Sequence, residues 1–403
     1  MNRLFSLIKG DKVIWVVVFL LSIVSILSVY SSTGTLAFKR QSGNTEYYLI
    51  RHFSILAFGI FLMYLTHLIK YTYYSRISQI LLLISVPLLL FTLLKGTNIN
   101  EANRWITLPL INVTFQSSDL AKLALIIYLA RMLAKKQDQI KELKEAFVPI
   151  MVPVLIICGL ILPANFSTAA ILFTICIILM VVGRVNSKYI LSLVGIGIVL
   201  FSITIAVLLN STTHGRLGTW KNRIERFIGS DKGELANEGD YQIEQAKIAV
   251  ANGQIFGRMP GNSTQRNFLP HPYSDFIFAI IVEEYGLIGS IIIIMLYLII
   301  LFRAVRIVIK GPGTFGAFLV TGLCFSLVFQ AFINMAVAVD LLPVTGQPLP
   351  LVSMGGTSIW FTSIAIGIIL SVSKEIENEV IENDELTIEK KKQEENEHTT
   401  QLT

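Results

Sequence analysis

The sequence predicts an all-α integral membrane protein, a polytopic bundle of about ten transmembrane helices with one long structured outer loop. Of its 403 residues, 53% are hydrophobic and only 15% are charged, whereas soluble domains carry roughly 25% charged residues. Apolar runs long enough to cross ~30 Å of hydrocarbon, ~20 residues each, also recur along the chain. They lie at about 13–31, 49–69, 77–95, 117–134, 147–162, 167–184, 188–210, 275–303, 314–338 and 356–373.

Two of these runs depart from a simple span. The fifth is short and rich in proline, which favours a broken or re-entrant helix shielded by protein. The eighth is longer than a crossing requires, so it is expected to tilt or to project from the membrane. The basic N-terminus, MNRLFSLIKGDK, lacks a small-residue cleavage site, which indicates a retained first helix and not a cleaved signal peptide.

The basic residues predict the orientation of the bundle. With ten spans both termini lie on one side. The connections of that side are rich in basic residues, whereas the short connections of the other side hold few. The positive-inside rule therefore places both termini in the cytoplasm. The net charge of +6 follows from this topology, and no nucleic-acid partner is expected.

The chain divides into a transmembrane domain over 1–373 and a polar tail over 374–403, which is expected to be disordered in the cytoplasm. The outer loop of the domain covers 211–274. Within this loop Ile243, Ala246 and Val250 recur at helical spacing. This pattern predicts a short amphipathic helix that lies on the outer membrane surface.

Charged residues inside the spans are candidates for function, because they are costly in hydrocarbon. Asp119 and Lys122 share one face of the fourth span. They form either a self-neutralising pair or an anchor for an anionic head group. Glu283 and Glu284 lie early in the eighth span, too far along the helix axis to pair with Asp275, and are interpreted as structural.

Asp275 opens the eighth span at the outer boundary of the membrane. One interpretation is a carboxylate at the N-cap or in the first turn, favoured by the helix dipole. The other is a general base acting on a lipid-linked substrate. A run of glycines and prolines from Gly257 to Pro272 is evidence for the second, because it builds a rigid turn that leads to this carboxylate, and both interpretations stay open at this point.

Two further outer segments are candidate walls of a site. Arg104 and Trp105 lie in one loop, and Arg216 lies in the long loop. Arginine side chains suit phosphate oxygens, although loop arginines also meet lipid phosphates. The last outer turn, 340–358, contains three prolines and three glycines. It lacks the lysine of a nucleotide-binding loop, so no nucleotide or organic cofactor is expected. The three cysteines and five histidines show no metal-ligand spacing.

Four segments together resemble the SEDS proteins, the RodA/FtsW family of cell-wall polymerases. They read NEANRWITL, QSSDLAKL, GNSTQRNFLPHPYSDFIFAIIVEEYG and LPVTGQPLPLVSMGGTS, in the order and spacing of that family. The residues LPHPYSDF and VTGQPLP resemble the division-type FtsW branch, particularly its members from Bacteroidetes-like bacteria, more than the elongation-type RodA branch. Two departures are Asp119, where the family usually has glutamate, and Asn165, where it usually has aspartate.

The resemblance implies a peptidoglycan glycosyltransferase that polymerises lipid II with inversion and releases undecaprenyl pyrophosphate. Asp275 is then the catalytic base, in a protein of the bacterial cytoplasmic membrane, at the division septum. The other expected partners are a class B penicillin-binding protein, which is a transpeptidase, and further divisome membrane proteins. A divalent cation, Mg²⁺ or Mn²⁺, is the expected cofactor, with unknown ligands. The residues expected to bind substrate are Arg104, Trp105, Asp119, Lys122, Arg216, His271, Ser274, Ser353, Gly355 and Gly356.

Two other functions stay open at this point. A lipid II flippase without covalent chemistry would need a polar path through the bilayer, which Asp119 and Lys122 suit. A scaffold that only recruits a partner would not need Asp275. The densest polar cluster of the sequence lies in the outer segments, and this favours the enzyme.

Overall fold

Most of the chain is helical in a computed structural model that describes residues 9–41, 44–99, 102–108, 113–209, 238–311 and 313–401. The helices with their bounds are α1 Lys12–Ser32, α2 Gly34–Gln41, α3 Thr45–Leu68, α4 Tyr71–Lys95, α5 Ser117–Lys135, α6 Val148–Ile161, α7 Phe166–Val182, α8 Ser187–Leu209, α9 Glu238–Gly253, α10 Ile277–Lys310, α11 Thr314–Ala338 and α12 Thr357–Gln401.

The helices match the predicted spans. Among the described residues, seven helical segments are long and apolar enough to cross a membrane, within α1, α3, α4, α10, α11, α12 and a segment that ends with α6. The remaining predicted spans coincide with α5, α7 and α8. Helices α5 and α11 bury residues on nearly every face, so they form the centre of the bundle. The expected polytopic α-helical architecture is confirmed.

The fifth predicted span is not broken. A π-helical turn, Leu143–Phe147, leads directly into α6, and the two form one helical segment over Leu143–Ile161. One proline of this segment, Pro149, is the second residue of α6, just after the π-helical turn, and Pro153 removes only one hydrogen bond further along. The proline content therefore shapes the start of the helix without interrupting it.

The eighth predicted span is broken instead. Gly286 interrupts α10 with φ 68° and ψ −165°. The backbone N–H groups freed at this break are bonded by the outer loop: Leu287 N donates to Gln254 O at 2.9 Å and Ile288 N to Ile255 O at 3.3 Å. An added Cβ at Gly286 would lie 2.3 Å from Ile255 O. The length of the apolar run thus reflects two helical segments, 277–285 and 287–310.

Residues 97–99, 102–108 and 113–116 form a small antiparallel sheet that the sequence did not predict. Its strands are β1 Thr97–Ile99, β2 Ala102–Leu108 and β3 Val113–Gln116, in the order β1-β2-β3. Trp105 pairs with Thr97 on one side and with Gln116 on the other. The sheet leads directly into α5 and carries Arg104 and Trp105 in its central strand.

Helix α9 forms where the amphipathic pattern predicts it, but its apolar face packs against protein. Ile243, Ala246 and Ala249 are buried, and Gly253 lies so close to α10 that an added Cβ would stand 2.0 Å from Val282 O. The expected burial of this face in the membrane surface is therefore wrong, because the bundle already covers it. Of the loop 211–274, the structure describes 238–274.

The start of α1 and the C-terminal helix meet at the same end of the bundle. Arg303 donates from two nitrogens to Asp11, each at 2.6 Å, and Gly10 N donates to Glu377 at 2.8 Å. Lys70 pairs with Glu375 at 2.6 Å, and this hydrogen bond raises the pKa of Lys70. These contacts agree with an even number of crossings, and the assignment of this end to the cytoplasm stays a prediction.

The C-terminal segment differs from the expected disordered tail. Helix α12 continues without a break from Thr357 to Gln401. The physical reason is local: the segment is rich in glutamate and lysine, both strong helix formers, and contains no glycine or proline after Gly367. The tail is thus an extension of the last membrane helix.

Candidate functional site

Asp275 lies in the turn before α10, at the opposite end of that helix from Arg303, and its side chain is partly exposed. The N-cap position belongs to Phe276, so the interpretation of Asp275 as a capping carboxylate is wrong. Its Oδ1 instead accepts a hydrogen bond from Ser274 Oγ at 2.8 Å. Its Oδ2 faces Gly346, where an added Cβ would be 3.6 Å away. The carboxylate is therefore oriented by its neighbours and still reachable.

The last outer turn holds the backbone around Asp275. Ser353 Oγ donates to Ser274 O at 2.7 Å and accepts from Leu349 N at 2.8 Å. Met354 N donates to Tyr273 O at 2.9 Å. Ser353 is 1% exposed, so its hydroxyl positions the Asp275 turn and does not face a substrate. The expectation that Ser353 binds substrate directly is thus replaced by a positioning role.

Helix α11 also holds the turn that contains Asp275. Asn334 Nδ2 donates to Asp275 O at 2.9 Å and to Gln347 O at 2.8 Å. Gln347 Nε2 in turn donates to Thr168 Oγ1 of α7 at 2.8 Å. The Oδ1 of Asn334 is buried and has no hydrogen-bond partner. The side-chain amide of Asn334 therefore joins the Asp275 turn and the 340–358 turn to the centre of the bundle.

Asp119 and Lys122 lie deeper in the bundle, in the network below this turn. Lys122 Nζ is 3.6 Å from Asp119 Oδ1 and donates to Gln330 Oε1 at 2.9 Å. Gln330 Nε2 donates to Pro348 O at 2.9 Å. All three side chains line a cavity of about 30 Å³ between α5, α11 and α12. This volume admits about two water molecules. Gln330 links Lys122 to Pro348 of the 340–358 turn, which in turn holds the Asp275 turn through Ser353.

The sheet and the glycine pair Gly355–Gly356 form a second wall. Thr357 Oγ1 donates to Thr114 O at 3.2 Å and accepts from Gln116 N at 3.4 Å. Gly356 adopts a left-handed φ of 57°, and an added Cβ would stand 3.9 Å from Thr114 O. Glycine is thus required by the backbone conformation here. The contact brings β3, next to the strand of Trp105, against the 340–358 turn.

Three other predicted site residues stand apart or outside the described part of the chain. His271 is exposed, and its Nδ1 lies 3.3 Å from the hydroxyl of Tyr273. Arg104 belongs to β2 by its backbone, and its side chain falls outside the described residues, as does Arg216 entirely. Their expected contacts with phosphate stay predictions.

Glu283 and Glu284 are buried and tie the outer loop to α10. Glu283 accepts hydrogen bonds from Ser263 Oγ, from Thr264 N at 3.2 Å and Thr264 Oγ1 at 2.9 Å, and from Gln265 N at 3.2 Å. Glu284 accepts from Ser31 Oγ of α1. These contacts support the structural interpretation of both residues. They also fix the segment that runs on to Asp275.

Replacing Glu283 with glutamine is expected to destabilise the protein by about 3 kcal/mol, because the amide leaves part of a buried donor set unpaired. Thermal unfolding in detergent should show a lower Tm, and limited proteolysis should reveal faster cleavage between 254 and 268. Glu244→Gln, an exposed change on α9, serves as the control. An unchanged Tm for Glu283→Gln would contradict the anchoring role.

The described residues contain no group of three or more His, Cys, Asp or Glu side chains that could hold a metal ion. Asp275 is the one carboxylate that we assign to the site. A divalent cation would still fit here, because Mg²⁺ keeps several waters and binds through one or two carboxylates together with substrate phosphates.

Residues 11–378 match the family described as "Cell cycle protein", which groups FtsW, RodA and SpoVE. The chain belongs to this family. A relative from Trichlorobacter lovleyi, named probable peptidoglycan glycosyltransferase FtsW, is 33% identical over 377 residues, covering 93% of this chain and 95% of the relative. Stage V sporulation protein E of Bacillus subtilis is 29% identical over 373 residues, covering 90% and 97%.

Solved structures share the fold of this SEDS protein. A chain of a peptidoglycan synthase complex that coordinates polymerization and crosslinking superposes with a TM-score of 0.69 at 22% identity, covering 91% of this chain and 98% of that chain. RodA of Thermus thermophilus, a rod shape determining protein, gives 0.62 at 23% identity, covering 91% and 97%. The resemblance to the SEDS family and to its FtsW type is confirmed, and the origin in Bacteroidetes-like bacteria stays a prediction.

Sequence reasoning missed the amides that organise this SEDS site. Asn334, Gln330 and Gln347 are buried. Asn334 donates to Asp275 O, Gln330 to Pro348 O of the 340–358 turn, and Gln347 to the hydroxyl of Thr168. A signal was available for the first two, because Gln330 and Asn334 are uncharged polar residues four positions apart in an apolar span. That spacing places them on one helix face, and such residues in spans are enriched at functional sites.

Proposed function

We propose that the chain is a peptidoglycan glycosyltransferase, which polymerises lipid II into glycan strands on the outer face of the cytoplasmic membrane. The placement of Asp275 carries this proposal. A partly exposed carboxylate stands at the outer end of a membrane helix, and hydrogen bonds from Ser274, Ser353 and Asn334 fix it and its backbone. The names of relatives over the full length of the chain support the same activity.

In the proposed reaction Asp275 accepts the proton of the sugar hydroxyl of the acceptor. The hydroxyl oxygen forms a bond to the anomeric carbon of the donor. The bond from that carbon to undecaprenyl pyrophosphate breaks, and the anomeric centre inverts in this single displacement. Ser274 donates to Oδ1 and so leaves Oδ2 as the oxygen that receives the proton. A base held at hydrogen-bond distance supplies roughly 10²- to 10⁴-fold of the rate.

Negative charge accumulates on the pyrophosphate as it leaves, and the site must stabilise it. Arg104 and Arg216 are proposed for this task because guanidinium groups bind phosphate oxygens in pairs. Trp105 and His271 are proposed to flank the substrate. A bound Mg²⁺ or Mn²⁺ would neutralise further charge on the pyrophosphate. Lys122 is paired with Asp119 at 3.6 Å and is linked to the 340–358 turn through Gln330, so its charge is partly offset and acts at a distance from the reacting groups.

A class B penicillin-binding protein is the proposed partner, because a solved relative of the same fold belongs to a peptidoglycan synthase complex. Crosslinking of the new strands is proposed to be the task of this partner. The FtsW names of the relatives support a role at the division septum, together with other divisome membrane proteins.

A lipid II flippase is the alternative, and the buried pair Asp119–Lys122 is the observation that favours it. Purified protein in liposomes with labelled lipid II distinguishes the two, with and without the transpeptidase. Glycan strands of increasing length are the result expected for the polymerase. Movement of lipid II between leaflets without polymer in either condition would support the flippase and overturn the proposal.

A further inference from the structure

Ser25 and His52 form a buried polar pair against the 340–358 turn, and neither residue has been assigned to the site so far. Ser25 lies on α1 and His52 on α3, and both are 0% exposed. Ser25 Oγ donates to Val352 O at 2.9 Å and lies 2.8 Å from His52 Nε2. The pair therefore contacts the backbone directly before Ser353, the residue that holds the Asp275 turn.

The protonation of the pair follows from its hydrogen bonds. The Ser25 hydroxyl has one proton, and it donates that proton to Val352 O. His52 Nε2 must then be the donor to Ser25 Oγ, which makes His52 the neutral tautomer with the proton on Nε2. Its Nδ1 is buried and has no hydrogen-bond partner, as expected for a nitrogen without a proton in an apolar site. Each proton of the pair is thus directed towards the turn.

The direction of the Ser25 hydroxyl is not the default for a helix serine. Serines in membrane helices commonly donate to the carbonyl three or four residues earlier. Ser22, one turn before on α1, does so with Val18 O at 2.7 Å, and Ser85 does so with Leu82 O at 2.8 Å. Ser25 crosses to another segment instead, and this contact links α1 to the last outer turn.

The turn needs such a contact because its backbone is strained. Leu351 has a φ of 63°, a left-handed conformation that is costly for a bulky residue. Without Ser25, the buried Val352 carbonyl would also lack a donor. Relaxation of this peptide would rotate the next residue, Ser353, whose hydroxyl bonds to Ser274 O.

We infer that Ser25 and His52 are positioning residues for Asp275, acting through the Val352–Ser353 peptide. This inference rests on the proposed glycosyltransferase activity. Neither side chain touches the reacting groups. Their contribution is to hold the Asp275 turn in the geometry of reaction, because a displacement of about 1 Å can reduce a rate by about 100-fold.

The test measures kcat and KM for lipid II polymerisation by the purified full chain, with its transpeptidase if activity requires it. Ser25→Ala and His52→Phe are expected to lower kcat by about 10- to 100-fold with little change in KM. His52→Gln, which keeps a donor at the position of Nε2, should restore most of kcat. Ser22→Ala and His67→Phe are matched controls, since both residues are buried on the same two helices.

The outcomes separate the two proposals. If Asp275→Asn abolishes polymerisation while Ser25→Ala and His52→Phe behave like Ser22→Ala and His67→Phe, the positioning role is wrong and the proposed function stands. If Asp275→Asn is active, the base assignment fails first. Should Ser25→Ala not fold, His52→Phe and His52→Gln decide the question. Ser25→Ala and Ser353→Ala should also combine without adding, because both act on one peptide.

Discussion

Asp275→Asn is expected to reduce lipid II polymerisation by about 1,000-fold, because an amide cannot accept the proton of the acceptor hydroxyl. The variant protein should still fold. Asparagine has the same shape, and its oxygen can still accept the hydrogen bond of Ser274. The measurement is kcat/KM of the purified chain, next to thermal unfolding of the same preparation.

Asp340→Asn is the matched control for this experiment. Asp340 is a partly exposed carboxylate in the last outer turn, where it pairs with Lys247 of α9. Its φ of 62° is one that asparagine adopts readily. The control should therefore fold and keep near-normal activity. Near-normal activity of a folded Asp275→Asn protein would contradict the role of Asp275 as base.

Gly286→Ala is expected to destabilise the protein by on the order of 4 kcal/mol. The backbone at Gly286 lies in a region open essentially to glycine alone, which costs other residues about 1–3 kcal/mol. The added Cβ would also meet Ile255 O at 2.3 Å and Gly257 N at 2.5 Å, and backbone atoms do not move aside cheaply. A large drop in Tm and in the yield of monodisperse protein is the expected result.

Two glycine controls separate the causes of this effect. Gly261 has a φ of 81° with open space around it, so Gly261→Ala should show the cost of a positive φ without a steric contact. Gly159 lies within α6, also with nothing within 4 Å, so Gly159→Ala should be neutral or stabilising. A Tm of Gly286→Ala equal to that of Gly261→Ala would show that the contact with the 254–258 segment contributes nothing.

The helices of the bundle were predictable because each span is a continuous apolar run of sufficient length in the sequence. The break at Gly286 was not, since a glycine in an apolar helical run is usually tolerated. The three strands β1, β2 and β3 were missed as well, because strands of 3, 7 and 4 residues are too short for a periodic pattern to stand out from the apolar runs around them. Local sequence patterns thus predicted the helices, but not the helix break and the strands that position the site.

The site was predictable in part. Asp275 could be identified from the residues next to it in the sequence, because it lies at the end of a glycine- and proline-rich turn. The hydrogen bond from Ser353 to Ser274 O, which holds the Asp275 turn, could not be predicted from neighbouring residues, because Ser353 and Ser274 are 79 positions apart in the chain. The same holds for Lys122 and Gln330, which are 208 positions apart. Such pairings depend on how helices assemble, which a single sequence does not encode in its local periodicity.

The break at Gly286 has a consequence for how the site responds to bilayer thickness. The segment 287–310 is about 36 Å long at 1.5 Å per residue, enough to cross the hydrocarbon by itself. A thicker or thinner bilayer is accommodated by a change in helix tilt, and that change can be absorbed at the glycine. The segment 277–285 is bonded to residues 258–265 through the backbone and side chain of Glu283, and the turn before it is held by Ser353 and Asn334. We therefore expect the height of Asp275 above the lipid to change less with bilayer thickness than the tilt of 287–310 does.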